Sequence, residues 1–114
     1  LILVGYSFGS RCAIAHATAD RNVAGVVAIG LPVRLWAFED LPSLNRPLSV
    51  VQGTEDEFGS IEEVAAVIAR AVPPGRLYEV AGASHLFPGS TKEAAARVVE
   101  AVEEILQGLG GSAS

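Results

Sequence analysis

The sequence predicts an α/β domain, a mostly parallel sheet of about four strands with flanking helices. Three observations carry this. Four short apolar runs rich in β-branched residues recur at 1–4, 23–29, 48–52 and 77–81. Three stretches of helical periodicity fall between or after them, and strands that alternate with helices connect by right-handed crossovers into a parallel sheet. The runs are apolar almost throughout instead of alternating, as befits strands covered on both faces.

The first strand, 1–4, leads directly into Gly5-Tyr6-Ser7-Phe8-Gly9 and then into an alanine-rich stretch without Pro, which suits a helix over about 9–20. After the second strand, 31–47 is rich in Pro, Leu and aromatics, including Trp36 and Phe38, and reads as a crossover lacking a strong helix. The third strand is followed by a helix over 61–71. Ser60 is its N-cap, Glu62 and Glu63 lie in its first turn, and Pro73-Pro74-Gly75 ends it. Its expected core face is Ile61, Val64, Ala65, Ile68 and Val72. The last helix runs from Thr91 or Lys92 to Gln107, with a core face of Ala95, Val98, Val99, Val102, Ile105 and Leu106. Residues 1–107 thus form one domain, and 108–114 read as a flexible small-residue tail.

The chain has 114 residues, half of them apolar, enough for a single small core. Eight Lys plus Arg stand against thirteen Asp plus Glu, with no basic cluster, which argues against a nucleic-acid partner. Apolar stretches fall well short of the roughly 18 residues that span a bilayer, so no membrane association is expected. One cysteine, Cys12, makes no internal disulfide and fits a reducing compartment, so a cytoplasmic location is the expectation. Cys12 itself reads as a small buried hydrophobe. No Cys/His set has metal-ligand spacing, and no cofactor is implied. The chain begins at Leu1 and contains no Met, which leaves a processed N-terminus or a piece of a longer protein.

The chemistry centres on Gly5-Tyr6-Ser7-Phe8-Gly9. A serine forced to present its hydroxyl at a sharp strand-to-helix turn sits at unfavourable dihedrals, and both flanking positions are expected to lack bulk where strand and helix converge. In a chain with twelve glycines the pentapeptide alone is only suggestive; its strand and helix context gives it weight. A serine hydroxyl is a poor nucleophile until a base takes its proton, and the base needs a carboxylate to fix its tautomer. Suitable groups follow two later strands: Gly53-Thr54-Glu55-Asp56-Glu57-Phe58-Gly59 after the third, and Gly82-Ala83-Ser84-His85 after the fourth. Glu55, Asp56 and Glu57 are all candidates for the acid. A phosphate-binding reading of the first turn is weak, because no Lys follows its glycines. His16 reads as an ordinary helix residue, the pair Glu103 and Glu104 as a solvated face, and Trp36 and Phe38 as either a pocket floor or loop anchors.

On these motifs the chain resembles the C-terminal half of an α/β-hydrolase over essentially all of its length to residue 107. The wording of the Ser7 and Asp56 segments is similar to small bacterial hydrolases without a large cap domain, and distantly to dienelactone hydrolases. The resemblance implies that Ser7 is the nucleophile, His85 the general base and acid, and Asp56 the orienting carboxylate, Glu55 and Glu57 being solvated loop charges. It implies that the Phe8 N–H is one oxyanion donor and that Tyr6 lines the substrate pocket or packs beside the turn. The substrates implied are small carboxylic esters, with thioesters, lactones and amides open.

It also implies that the first strands of the family sheet precede Leu1, together with the loop that supplies the second oxyanion donor. Loss of one such donor costs about a hundredfold to a thousandfold in turnover, so the isolated chain is expected to be weak or inert. The strand 1–4 would then be a bare apolar edge, and self-association through it is expected. The rival reading is a non-catalytic interaction or scaffold module on the same fold.

Overall fold

The computed structural model describes residues 1–111. It contains β1 (Ile2–Tyr6), α1 (Phe8–Ala19), β2 (Gly25–Ile29), β3 (Leu48–Gly53), α2 (Ile61–Ile68), β4 (Arg76–Val80) and α3 (Thr91–Gly111), with a 3₁₀ turn at Leu41–Ser43 inside the long β2–β3 crossover. The four strands are all parallel and neighbour one another in chain order, β1-β2-β3-β4. The sequence-predicted fold class is therefore the observed one.

Strand periodicity divides the core in two. Val26, Ala28 and Val50 face α1 and α2, where they meet Ile14, Ala17, Val64 and Ile68. Val27, Val51 and Val80 point to the opposite face and meet Ala101 and Ile105 of α3. Each fully buried Val, Ile or Leu contributes roughly 1.5–3 kcal/mol of transfer free energy, so both layers are needed to hold so small a sheet together. In the β2–β3 crossover, Leu31, Phe38, Leu41 and Leu44 are buried against the first layer, which explains how a segment without a long helix stays ordered.

Both helical stripes are narrower than the sequence pattern indicates. In α2 the buried positions are Val64 and Ile68, continued by Ala71 in the following turn, whereas Ala65 and Val72 are exposed. The helix stops at Ile68 instead of Ala71, so Val72 no longer lies on its face. In α3 the buried line is Ala94, Ala101 and Ile105, flanked by half-buried Val98 and Val102. Ala95 is exposed, and Val99 and Leu106 are 55% and 53% exposed, because they stand one position off the contact line. The N-terminus of α2 matches expectation in full. The Ser60 hydroxyl accepts from Glu63 N–H at 3.2 Å and Glu63 returns a bond to Ser60 N–H at 3.1 Å, a capping box.

Other differences are local. α3 continues through Gly111, so the first four residues of the expected tail are helical, while residues 112–114 lie outside the described residues. Cys12 is exposed, since it falls on the solvent side of α1 between the buried Ser10 and Ala13. Glu104 is ion-paired with Arg76 of β4 instead of simply solvated.

One buried polar side chain links the layers to the loops. Gln52, wholly buried in β3, accepts from Leu31 N–H at 2.8 Å and donates to the Gly59 carbonyl at 2.9 Å. It satisfies backbone groups of the segments that follow β2 and β3, where no strand partner exists for them. Replacing it by the near-isosteric apolar Gln52→Leu strands a donor and an acceptor in the interior. We expect a loss of about 2–4 kcal/mol, read as a lower urea midpoint at unchanged slope.

Candidate active site

Ser7 occupies the single residue between β1 and α1, at φ 53° and ψ −116°. For a residue with a side chain this is strained backbone, of order 1–3 kcal/mol, and it persists only where the surroundings fix it. They do so from two sides. Ser7 N–H donates to Ile29 O at 2.9 Å, tying the turn to β2. The Ser7 carbonyl accepts from Ser10 N–H at 2.9 Å and also from the buried Ser10 hydroxyl. Of the two flanking glycines, only Gly5 is sterically required: a Cβ there would run into the Gly9 carbonyl as α1 folds back over β1, whereas a Cβ on Gly9 meets no described atom within 4 Å. The expectation that both positions must lack bulk thus holds for one of them.

The hydroxyl faces a relay of two more side chains. Ser7 Oγ lies 2.8 Å from His85 Nε2, and His85 Nδ1 lies 2.8 Å from Asp56 Oδ2. The imidazole side chain is 6% exposed and the carboxylate is fully buried. Asp56 Oδ1 accepts from Phe58 N–H at 2.8 Å, so both carboxylate oxygens are engaged. An ionised carboxylate only accepts, which places a proton on His85 Nδ1 and leaves the Nε2 lone pair to receive the Ser7 O–H. Chemically, the arrangement can move the Ser7 proton to Nε2 while the carboxylate stabilises the resulting cation.

The remaining predicted residues fall around this line. Of the three acids in the turn, only Asp56 reaches the imidazole. Glu55 and Glu57 are both exposed, but Glu57 is tied to the site: its Oε1 accepts from His85 N–H at 3.0 Å. A bond from its own backbone N–H, and then the one from His85 N–H, hold its carboxyl below the usual range. Tyr6 donates its hydroxyl to the His85 carbonyl at 2.6 Å, with its ring 5.8 Å from the imidazole. Its ring also borders an apolar surface cleft with Ile29, Phe87 and Ala94. Burial, and then the charges of Asp56 and Glu57, raise the Tyr6 pKa, so the phenol stays a donor. Phe8 is the first residue of α1, and its N–H has no carbonyl one turn earlier in the helix to bond. Its exposed ring packs on Trp36, centroids 5.3 Å apart. Phe38 is a buried anchor, capped by Arg11 of the Arg11–Asp40 pair. His16 is exposed and pairs with Asp20 one turn on. Among the described residues no group of three His, Cys, Asp or Glu could hold a metal ion, and no helix is long and apolar enough to cross a membrane.

Two contributors escape a reading by motif. Phe58 packs its ring edge-on against the imidazole at 4.9 Å. Gly30, at φ +64° just past β2, lies under the same ring: a Cβ there would sit 3.0 Å from His85 Cε1 and 3.1 Å from Nδ1. A lone glycine closing an apolar strand carries the signal for such a close approach, though it does not name the partner.

A strained serine between strand and helix, with an acid and a histidine after later strands, is the layout of an α/β-hydrolase site. The model of an alpha/beta hydrolase domain matches residues 1–108, and the chain belongs to that family. Three solved structures share the fold. A putative α/β hydrolase of unknown function from Agrobacterium tumefaciens superposes at TM-score 0.85 and 18% identity, over 94% of this chain and 51% of its own. An α/β serine hydrolase without a lid from Xanthomonas campestris matches at 0.78 and 23%, over 91% and 47%. The esterase domain of a Rhodothermus marinus protein matches at 0.73 and 19%, over 91% and 60%. The chain thus spans about half the length of these proteins. No curated protein matches it in sequence.

Gly30→Ala tests how closely the histidine is seated. The added methyl, at a positive φ, costs about 1 kcal/mol of backbone strain and pushes the imidazole off Asp56. The low-field proton resonance of a carboxylate-bound His85 Nδ1–H is expected in the parent chain and lost in the variant.

Proposed function

We propose that the protein is a serine hydrolase acting on carboxylic esters, with Ser7 as nucleophile, His85 as general base and acid, and Asp56 as the carboxylate that orients it. The observation that carries this is the unbroken line Ser7 Oγ, His85 Nε2, His85 Nδ1, Asp56 Oδ2, with 2.8 Å at each hydrogen bond. Ser7 Oγ attacks the ester carbonyl carbon as its proton passes to Nε2. The carbonyl oxygen takes up the electron pair, and the Phe8 N–H, in the first turn of α1, is the donor that stabilises that charge. Collapse of the tetrahedral adduct expels the alcohol, which leaves with the proton from Nε2. Water then repeats the sequence on the acyl-serine, giving the acid and restoring Ser7.

Ester is favoured over amide or lactone by the named activity of a structural neighbour, the Rhodothermus marinus esterase domain. Tyr6 and the exposed Phe8–Trp36 pair offer apolar surface beside Ser7 for the substrate. The exposed, unpaired Cys12 thiol suits a reducing cytoplasm. Because the chain spans about half the length of its structural neighbours, the proposal includes a second oxyanion donor supplied from the part they have in addition, without which turnover by the 114 residues alone is slow.

Labelling with a fluorophosphonate tests the assignment. An N-terminally extended chain is expected to label rapidly and its Ser7→Ala form not at all, while the 114-residue chain labels at about one hundredth of that rate or less. Equal rates for short and extended chains overturn the incomplete-site reading. No labelling of the extended chain favours a non-catalytic module.

The edge of the sheet leads to a second expectation. β1 hydrogen-bonds only to β2 among the described strands, and Leu1 and Val4 are 73% and 51% exposed. An apolar edge without charge pairs readily with a second copy. Sedimentation velocity on this chain at tens of micromolar is expected to show dimers or larger species, and a stable monomer would refute self-association through β1.

A further inference from the structure

We propose that Glu57 is a positioning residue for His85: together with Tyr6 it clamps the histidine backbone, and its charge favours the imidazolium that forms when Ser7 gives up its proton. This rests on the reading of Ser7 as nucleophile.

His85 sits in a loop between β4 and α3, with no strand or helix to take its main-chain groups. Both are taken by side chains instead. Its N–H donates to Glu57 Oε1 at 3.0 Å and its carbonyl accepts the Tyr6 hydroxyl at 2.6 Å. The two clamps come from the ends of β3 and β1, so the histidine is gripped from both sides of the position it must hold. Water could satisfy an N–H at the rim of a loop; holding a flexible glutamate there costs rotamer entropy. The main chain that carries Glu57 is itself held. Arg34 donates to the Glu57 carbonyl at 2.9 Å, and its guanidinium is fixed by Glu63, the capping-box residue of α2. A continuous chain of polar contacts therefore runs from the α2 N-terminus to the histidine.

The charge has a second effect. The titratable groups facing His85 are Asp56 and Glu57 from the β3 loop, Ser7 and the neutral Tyr6 phenol from the β1 end; Arg34 stands behind Glu57. Glu57 is ionised at neutral pH, since backbone N–H donors hold its carboxyl low. Two anions thus favour the protonated ring where one would otherwise act. Removing the Glu57 charge leaves Asp56 as the one anion stabilising the imidazolium, which moves the acid limb of the rate profile to lower pH and weakens the base.

The test uses the full-length protein with Glu57→Gln, Glu57→Ala and Tyr6→Phe, reading the His85 N–H resonance by NMR and the pH profile of p-nitrophenyl acetate hydrolysis. Both Glu57 variants are expected to move the acid limb of that profile to lower pH and to reduce kcat by about three- to tenfold with KM little changed. Tyr6→Phe, which removes a clamp but no charge, is expected to lower kcat without moving that limb. A wild-type pH profile in Glu57→Gln, the variant that keeps shape and fold, would overturn the proposal. If Ser7→Ala retained turnover, the nucleophile reading would fall, while a shifted or unshifted His85 N–H resonance in Glu57→Ala would still decide whether Glu57 holds the histidine.

Discussion

Everything at the site depends on four strands running the same way in chain order. In such a sheet every strand ends at one edge, so each following loop delivers its side chains to the same side. Ser7 follows β1, Gly30 follows β2, Asp56 follows β3 and His85 follows β4. With neighbouring strands roughly 4.8 Å apart, the first and last loops start about 14 Å from each other. The β4 loop must bend back across two strand ends to bring His85 to Ser7. On the way it passes Asp56, which meets its Nδ1, and Gly30, whose missing side chain leaves the passage open. Serine and acid are delivered after β1 and β3, and the histidine reaches back from β4 to lie between them.

Much of this was legible in the residues. The parallel sheet, the turn at Ser7 and the choice of segments bearing Asp56 and His85 follow from local signals: apolar runs, the Gly-x-Ser-x-Gly spacing and polar loops after strands. What was not legible is set by contacts between distant segments. The sequence predicts an α3 face of Ala95, Val98, Val99, Val102, Ile105 and Leu106, which is one position too wide at Ala95, Val99 and Leu106, since periodicity gives the period of a face but not the width of the surface it meets. Cys12 and Glu104 were assigned by residue type, and neighbours decided otherwise. Glu57 looked like one solvated acid among three; its bond to His85 depends on a loop 28 residues away.

Polar satisfaction supplies the rigidity that apolar packing cannot give to loops. The two core layers hold strands and helices, while Gln52 ties the ends of β2 and β3 and the Ser10 hydroxyl locks the Ser7 carbonyl. Of these, the Ser10 hydroxyl bonds the strained turn itself. Strain at Ser7 of order 1–3 kcal/mol is tolerable only on such a base, because a loose foundation would let the turn relax to ordinary dihedrals and swing the hydroxyl away.

The contact between Ser7 and His85 spans 78 residues, about two thirds of the described chain. Each strand, by contrast, pairs with its immediate successor, so the sheet can zip up one crossover at a time, every closure modest in entropy. The serine and the histidine meet only after the last of these steps. Their hydrogen bond is thus a checkpoint on assembly: a chain stalled with three strands paired would hold Ser7 on its strained turn with no imidazole beside it.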